Sequence, residues 1–141
     1  MDKFLKRLYE LKTDNITFEE LSIELGINKS TIYSWTSKSN MPKLNNIIAI
    51  SNYFKCSIEY LLGRTDNLDE LPAKDCPPFY IQLEKILTSK NLKKTHLRNK
   101  KVISRGLAES IFDKHASPCI ENVVKIADYL NISVDELVGR V

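Results

Sequence analysis

The chain overlays on itself. Shifted by 76 residues, positions 16–64 meet positions 92–140 without a gap. Leu21 meets Leu97, Ile27 meets Ile103, Ser34 meets Ser110, Lys38 meets Lys114, and Pro42 meets Pro118. Asn46 meets Asn122, Ile50 meets Ile126, Tyr53 meets Tyr129, Ser57 meets Ser133, Leu61 meets Leu137, and Gly63-Arg64 meets Gly139-Arg140. These are 12 identities in 49 positions, and ten of the remaining pairs exchange one apolar residue for another. A repeat of this kind means one supersecondary plan used twice. A chain of 141 residues then becomes two very small domains rather than one ordinary one. Four glycines and a dominance of strong helix formers make both all-α.

Each copy reads as five short helices. In the first, Phe4, Leu8 and Leu11 form an apolar stripe on helix one. Thr17 caps helix two, with Glu20 three residues on as the partner of a capping box, and Leu21 and Leu25 point inward. Gly26 ends that helix in a left-handed conformation. Asn28 caps helix three, which carries Ile32 and Trp35. Helix four holds Leu44, Ile47, Ile48 and Phe54, and Ser57 caps helix five, which Gly63 ends. The second copy follows as helices over 79–87, 92–101, 104–112, 120–130 and 133–138, with Ser133 and Glu136 as a capping box.

Charge divides the chain the same way. Residues 1–65 carry a net +2, residues 66–78 a net −3, and residues 79–141 a net +4. The expected domains are therefore 1–65 and 79–141, with 66–78 an acidic, proline-bearing linker. Two basic blocks suit a polyanionic partner.

Several classes drop out. No apolar run approaches the ~20 residues of a membrane span, and the N-terminus has no signal-peptide core, so the protein is expected in the cytoplasm with no membrane partner. Three cysteines (56, 76 and 119) with no C-x-x-C spacing argue against a disulfide framework and a zinc site. His115 and Cys119 are four apart, but Pro118 lies between them and no second ligand pair is near, so no metal is expected. Nor do two histidines, no phosphate-binding glycine loop and no nucleophile elbow suggest an enzyme. No cofactor and no small-molecule ligand is evident.

Helices two and three of the first copy, joined by a tight turn at Gly26, have helix-turn-helix spacing. The run Thr17 to Trp35, TFEELSIELGINKSTIYSW, resembles the helix-turn-helix of the phage Cro-type repressor family, also called the xenobiotic-response-element family. Pro42 to Leu62-Gly63-Arg64 resembles that family's last two helices. The resemblance implies two tandem five-helix lambda-repressor-like domains. An α-helix fits the major groove, and with Ile32 and Trp35 inward the outward residues of helix three are Lys29, Ser30, Tyr33, Ser34 and Ser37. By family position Lys29, Ser30, Tyr33 and Ser34 would read bases, and Thr17, Phe18, Ser37, Lys38, Asn40 and Lys43 would lie along the backbone. Where the family usually has a phosphate-holding glutamine, just after the cap of helix two, this chain has Phe18.

The second copy departs further. Val102 stands where Gly26 stands, and a β-branched residue resists positive φ, so this turn must differ or carry strain. Lys93 replaces the Thr17 cap, and Gly106 and Ala108 thin out helix three. Residues 85–108 hold eight Lys or Arg and no acid. Arg105, Glu109 and Ser110 are the corresponding base-reading candidates, and Lys93, Lys94, Arg98 and Lys114 the backbone ones.

The function expected is sequence-specific binding of double-stranded DNA by a transcriptional regulator, a repressor of prophage or mobile-element type by resemblance. The alternative is a protein-interaction module on the same fold, the second domain serving dimerisation or partner binding. A homodimer is favoured over a monomeric pseudo-dimer, because the altered turn of the second copy points to relaxed DNA geometry.

Overall fold

The computed structural model describes residues 2–13, 16–37 and 40–141, residue 2 in its backbone only. Two compact units divide the chain, residues 1–73 and 74–141. Every regular element among the described residues is helical. None of these helices is long and apolar enough to cross a membrane.

In unit 1 the helices are α1 (Asp2–Lys12), α2 (Phe18–Leu25), α3 (Lys29–Thr36), α4 (Leu44–Phe54) and α5 (Ile58–Leu61). Their starts follow from capping chemistry. Thr17 Oγ1 accepts from the Glu20 N–H, Asn28 Oδ1 from the Ser30 N–H, and Ser57 Oγ from the Tyr60 N–H. Each bond satisfies an amide that the first helical turn leaves without a partner. The core is built from Phe4, Leu8, Leu21, Ile32, Trp35, Leu44, Ile47, Ile50, Ile58 and Leu61, all almost fully buried. Trp35 meets Phe4 edge to face, which pins α3 to α1. Past α5, Arg7 lies 4.2 Å over the Tyr60 ring and donates to the Asp66 carboxylate at 2.8 Å. The Leu71 N–H donates to the Lys55 carbonyl, so the acidic stretch runs along unit 1.

In unit 2 the helices are α6 (Phe79–Ser89), α7 (Lys94–Asn99), α8 (Arg105–Ala108), α9 (Ile120–Leu130) and α10 (Val134–Val138). Between α8 and α9, Glu109–Asp113 forms a π-helical turn, in which the Lys114 N–H reaches back to the Glu109 carbonyl. The third helix expected over 104–112 is thus α-helical for only one turn, and the second is shorter at both ends than expected.

The two turns between second and third helices differ in a definite way. In unit 1 the left-handed residue is Gly26 at φ +66°, with its N–H on Ile23 O and the Ile27 N–H on Ser22 O. In unit 2 the same bond pair is made by Lys101 on Arg98 O and Val102 on Leu97 O, and Lys101 takes φ +58°. The left-handed position has moved one residue toward the N-terminus. Val102 avoids positive φ, α7 ends early, and the turn gains a residue before Ser104 caps α8 through the Leu107 N–H. At the start of α7, His96 Nδ1 accepts from the Lys93 N–H at 2.8 Å, whereas the Lys93 ammonium has no lone pair with which to cap in return.

Both units end alike. Arg64 binds Glu59 at 2.6 Å and Arg140 binds Asp135 at 3.1 Å, each across a left-handed glycine. The first pair is partly exposed, whereas the second is buried. A Cβ on Gly63 would stand 2.7 Å from Lys3 Cβ, and one on Gly139 would stand 2.9 Å from Pro77 Cδ. Glycine is needed at both places for φ and for room.

Candidate nucleic-acid interface

Unit 1 offers one continuous polar face. The buried Ile32 and Trp35 fix the rotation of α3, so Lys29, Ser30 and Tyr33 come out exposed and Ser34 half-exposed. A groove of about 510 Å³ between α3 and the start of α4 is lined by Ser30, Ser34, Asn40, Lys43 and Asn46 among others. It brings two expected base readers together with two expected backbone contacts. Ser37 is exposed at the end of α3, and Thr17 is exposed at the cap of α2. Lys38 lies outside the described residues.

The side chains on this face are already engaged. The Lys29 ammonium stands 2.8 Å from the Glu19 carboxylate. Hydrogen bonding and charge within this pair hold the Glu19 carboxyl below its ordinary value and the Lys29 ammonium above its own. Ser30 Oγ donates to Asn28 Oδ1, Ser34 Oγ to the Thr31 carbonyl and Ser37 Oγ to the Ser34 carbonyl. Glu19 is a member of the site that spacing did not single out. It sits one residue into α2, and only the α2–α3 crossing brings it to Lys29.

Phe18, in place of the expected glutamine, joins an aromatic row. Its ring meets Tyr9 at 5.4 Å and Tyr33 at 6.2 Å, both edge to face. The Lys12 ammonium lies 5.0 Å from the Phe18 ring centre, and that of Lys29 lies 5.8 Å from the Tyr33 ring centre.

Unit 2 presents a different surface. Lys85, Lys90, Lys93, Lys94, Arg98, Lys100, Lys101 and Arg105 are all exposed. Lys94 pairs with Glu84 at 2.6 Å and its ammonium lies 4.7 Å from the Phe112 ring centre. Arg105 and Glu109 approach within 3.9 Å of each other, one turn apart and solvated. Ser110 is half-exposed within the π turn, and Lys114 is exposed at its end. Among the described residues no group of three or more His, Cys, Asp or Glu is placed to hold a metal ion.

Comparison with known proteins bears on this surface directly. Residues 4–69 match the family model of the bacteriophage CI repressor helix-turn-helix domain. The chain is also 31% identical over 67 residues to the uncharacterized HTH-type transcriptional regulator YobD of Bacillus subtilis (strain 168). That alignment covers 47% of this chain and 60% of the relative, so the chain spans less than two thirds of the protein it resembles. No solved structure matches the chain. The family match lies within unit 1.

Proposed function

We propose that the chain is a sequence-specific regulator of transcription that binds double-stranded DNA, a repressor of the prophage or mobile-element type, working inside the cell and not an enzyme. One observation carries this reading. The outward residues of α3 share a groove with Asn40 and Lys43, inside the segment that matches the CI repressor helix-turn-helix domain. In this role Lys29, Ser30, Tyr33 and Ser34 address base edges in the major groove, and Thr17, Ser37, Asn40 and Lys43 flank the phosphates. Lys29 must leave Glu19 to do so, which makes Glu19 a competitor for the same ammonium.

Unit 2 is proposed as a second, diverged copy of the same domain. The 76-residue repeat and the equivalent Glu59–Arg64 and Asp135–Arg140 pairs support that. Its eight exposed cations suit phosphate better than bases. The single α-helical turn of α8 and the Arg105–Glu109 approach favour a supporting role, in which two chains pair and unit 1 carries the base reading. The corresponding second reading for unit 2 is a protein-binding surface.

Selection of bound sequences from a random duplex pool, followed by titration across salt, tests the function. One enriched motif is expected, with log affinity falling linearly in log salt as for roughly 6–10 phosphate contacts. A pool without enrichment, or a binding constant indifferent to salt, would overturn it. Sedimentation at micromolar concentration reads the pairing: a strictly monomeric chain protecting two adjacent unlike half-sites would replace the homodimer with a one-chain pseudo-dimer.

A further inference from the structure

The aromatic row Tyr9–Phe18–Tyr33 leaves its two outer rings exposed and its central ring half-buried. Tyr9 is 50% exposed and Tyr33 is 42% exposed. Packing alone does not require rings here, and the second copy shows why. The stripe Phe4, Leu8 and Leu11 of α1 returns as Phe79, Leu83 and Ile86 of α6, a shift of 75, which sets Glu84 in the place of Tyr9. The 76-residue register sets Lys94 in the place of Phe18 and Glu109 in the place of Tyr33. The contact that Tyr9 makes with Phe18 becomes the 2.6 Å Glu84–Lys94 ion pair. All three ring positions are charged in unit 2, where α8 is a single turn and Phe112 of the π turn that follows meets Lys94 instead.

The row is also placed to meet DNA. Tyr33 is one turn past Lys29 on the outer face of α3, and the Lys12 and Lys29 ammonium groups stand beside the Phe18 and Tyr33 rings. A flat apolar edge between two cations complements a groove whose walls are phosphates and whose floor carries one apolar group, the 5-methyl of thymine. We propose that Tyr33, braced by Phe18 and Tyr9, reads thymine through that methyl group. The proposal rests on unit 1 binding duplex DNA and names a base and an atom that it reads. Phe18 is a positioning residue: it touches Tyr33, and no base contact is assigned to it.

The test uses the full chain and the duplex enriched from a random pool, with each thymine replaced singly by deoxyuridine, which lacks only the methyl. Wild type is expected to lose about fourfold in affinity at one or two positions, as for one buried methyl group. Tyr33→Ser should bind thymine and uracil duplexes equally, whereas Tyr33→Phe should keep the difference. Phe18→Lys, which installs the residue of the second copy, should shrink the difference while leaving far-ultraviolet helicity intact. The proposal is overturned if uracil is neutral at every position, if the enriched sequence has no thymine, or if Tyr33→Ser keeps the full difference. It is also overturned if Tyr33→Phe abolishes the difference between thymine and uracil duplexes, which would assign the reading to the hydroxyl rather than the ring. A chain that enriches no sequence at all refutes DNA reading itself, and is told apart from these results by the absence of a binding site to substitute.

Discussion

Swapping glycine across the two turns should move stability in opposite directions. Gly26 has φ +66°, and a Cβ added to it would find no heavy atom within 4 Å. A side chain there meets no clash, so its cost is that of the backbone conformation alone, about 1–2 kcal/mol for an L-residue and at the upper end for a β-branched one. Lys101, at φ +58°, already bears that cost. Lys101→Gly should relieve it, less the roughly 0.5–1 kcal/mol of extra chain entropy that glycine loses on folding, for a net gain of about 0.5–1 kcal/mol. Gly26→Val should cost about 1–2 kcal/mol. For a unit this small each kcal/mol is about 4–8 °C in Tm. Trp35, the only tryptophan and buried in unit 1, reports Gly26→Val by fluorescence, and far-ultraviolet dichroism follows Lys101→Gly. Val102→Gly should give no gain, because Val102 is not left-handed. Equal melting of wild type and Gly26→Val, or a larger gain from Val102→Gly than from Lys101→Gly, would refute the reasoning.

Further outcomes follow from the ion pairs. Glu19→Gln should raise affinity for duplex DNA of any sequence, since it removes a carboxylate from the binding face and frees Lys29; unchanged binding would deny that the pair competes. The Glu19 carboxyl is held low, so its part of the pair is lost only as pH falls through that low value; the Lys29 ammonium is held high and is lost only as pH rises through its own. The pair should therefore leave DNA binding flat from about pH 5 to about pH 10, checked by comparing the pH profiles of wild type and Glu19→Gln. Lys29→Ala should relax preference at a defined base pair by about 1–3 kcal/mol, whereas Lys43→Ala should weaken all sequences alike, as competition binding would read. Asp135→Ala should cost about 3–5 kcal/mol in urea unfolding by removing the carboxylate that Arg140 binds inside the unit. Glu59→Ala, at the partly exposed counterpart, should cost about 1 kcal/mol or less.

The caps and cores of these helices were legible in the residues themselves. Thr17, Asn28, Ser57 and Ser133 cap where a hydroxyl or amide precedes an apolar run, and Gly26 sits where a helix must turn left-handed. Local chemistry decides such features, and local chemistry is written in order along the chain. The second copy was less legible at its turn. Val102 signals that the turn differs, but moving the strain onto Lys101 depends on which neighbour tolerates it best. The π turn over Glu109–Asp113 has no composition signal of its own. Glu19 against Lys29, and Phe18 between Tyr9 and Tyr33, arise from the angle at which α1, α2 and α3 cross. Periodicity orients each helix and leaves that angle undetermined.

The serines of α3 carry one more consequence. A hydroxyl has a single hydrogen, and Ser30, Ser34 and Ser37 each give theirs to a neighbour within the protein. What they turn outward is lone pairs. Such oxygens answer the amino hydrogens of adenine and cytosine and find nothing to accept from N7 or O6 of guanine. Among the five outward residues the hydrogens left to give belong to the Lys29 ammonium and the Tyr33 phenol, so along this short helix donors and acceptors alternate and the donors lie at the residues of or beside the aromatic row.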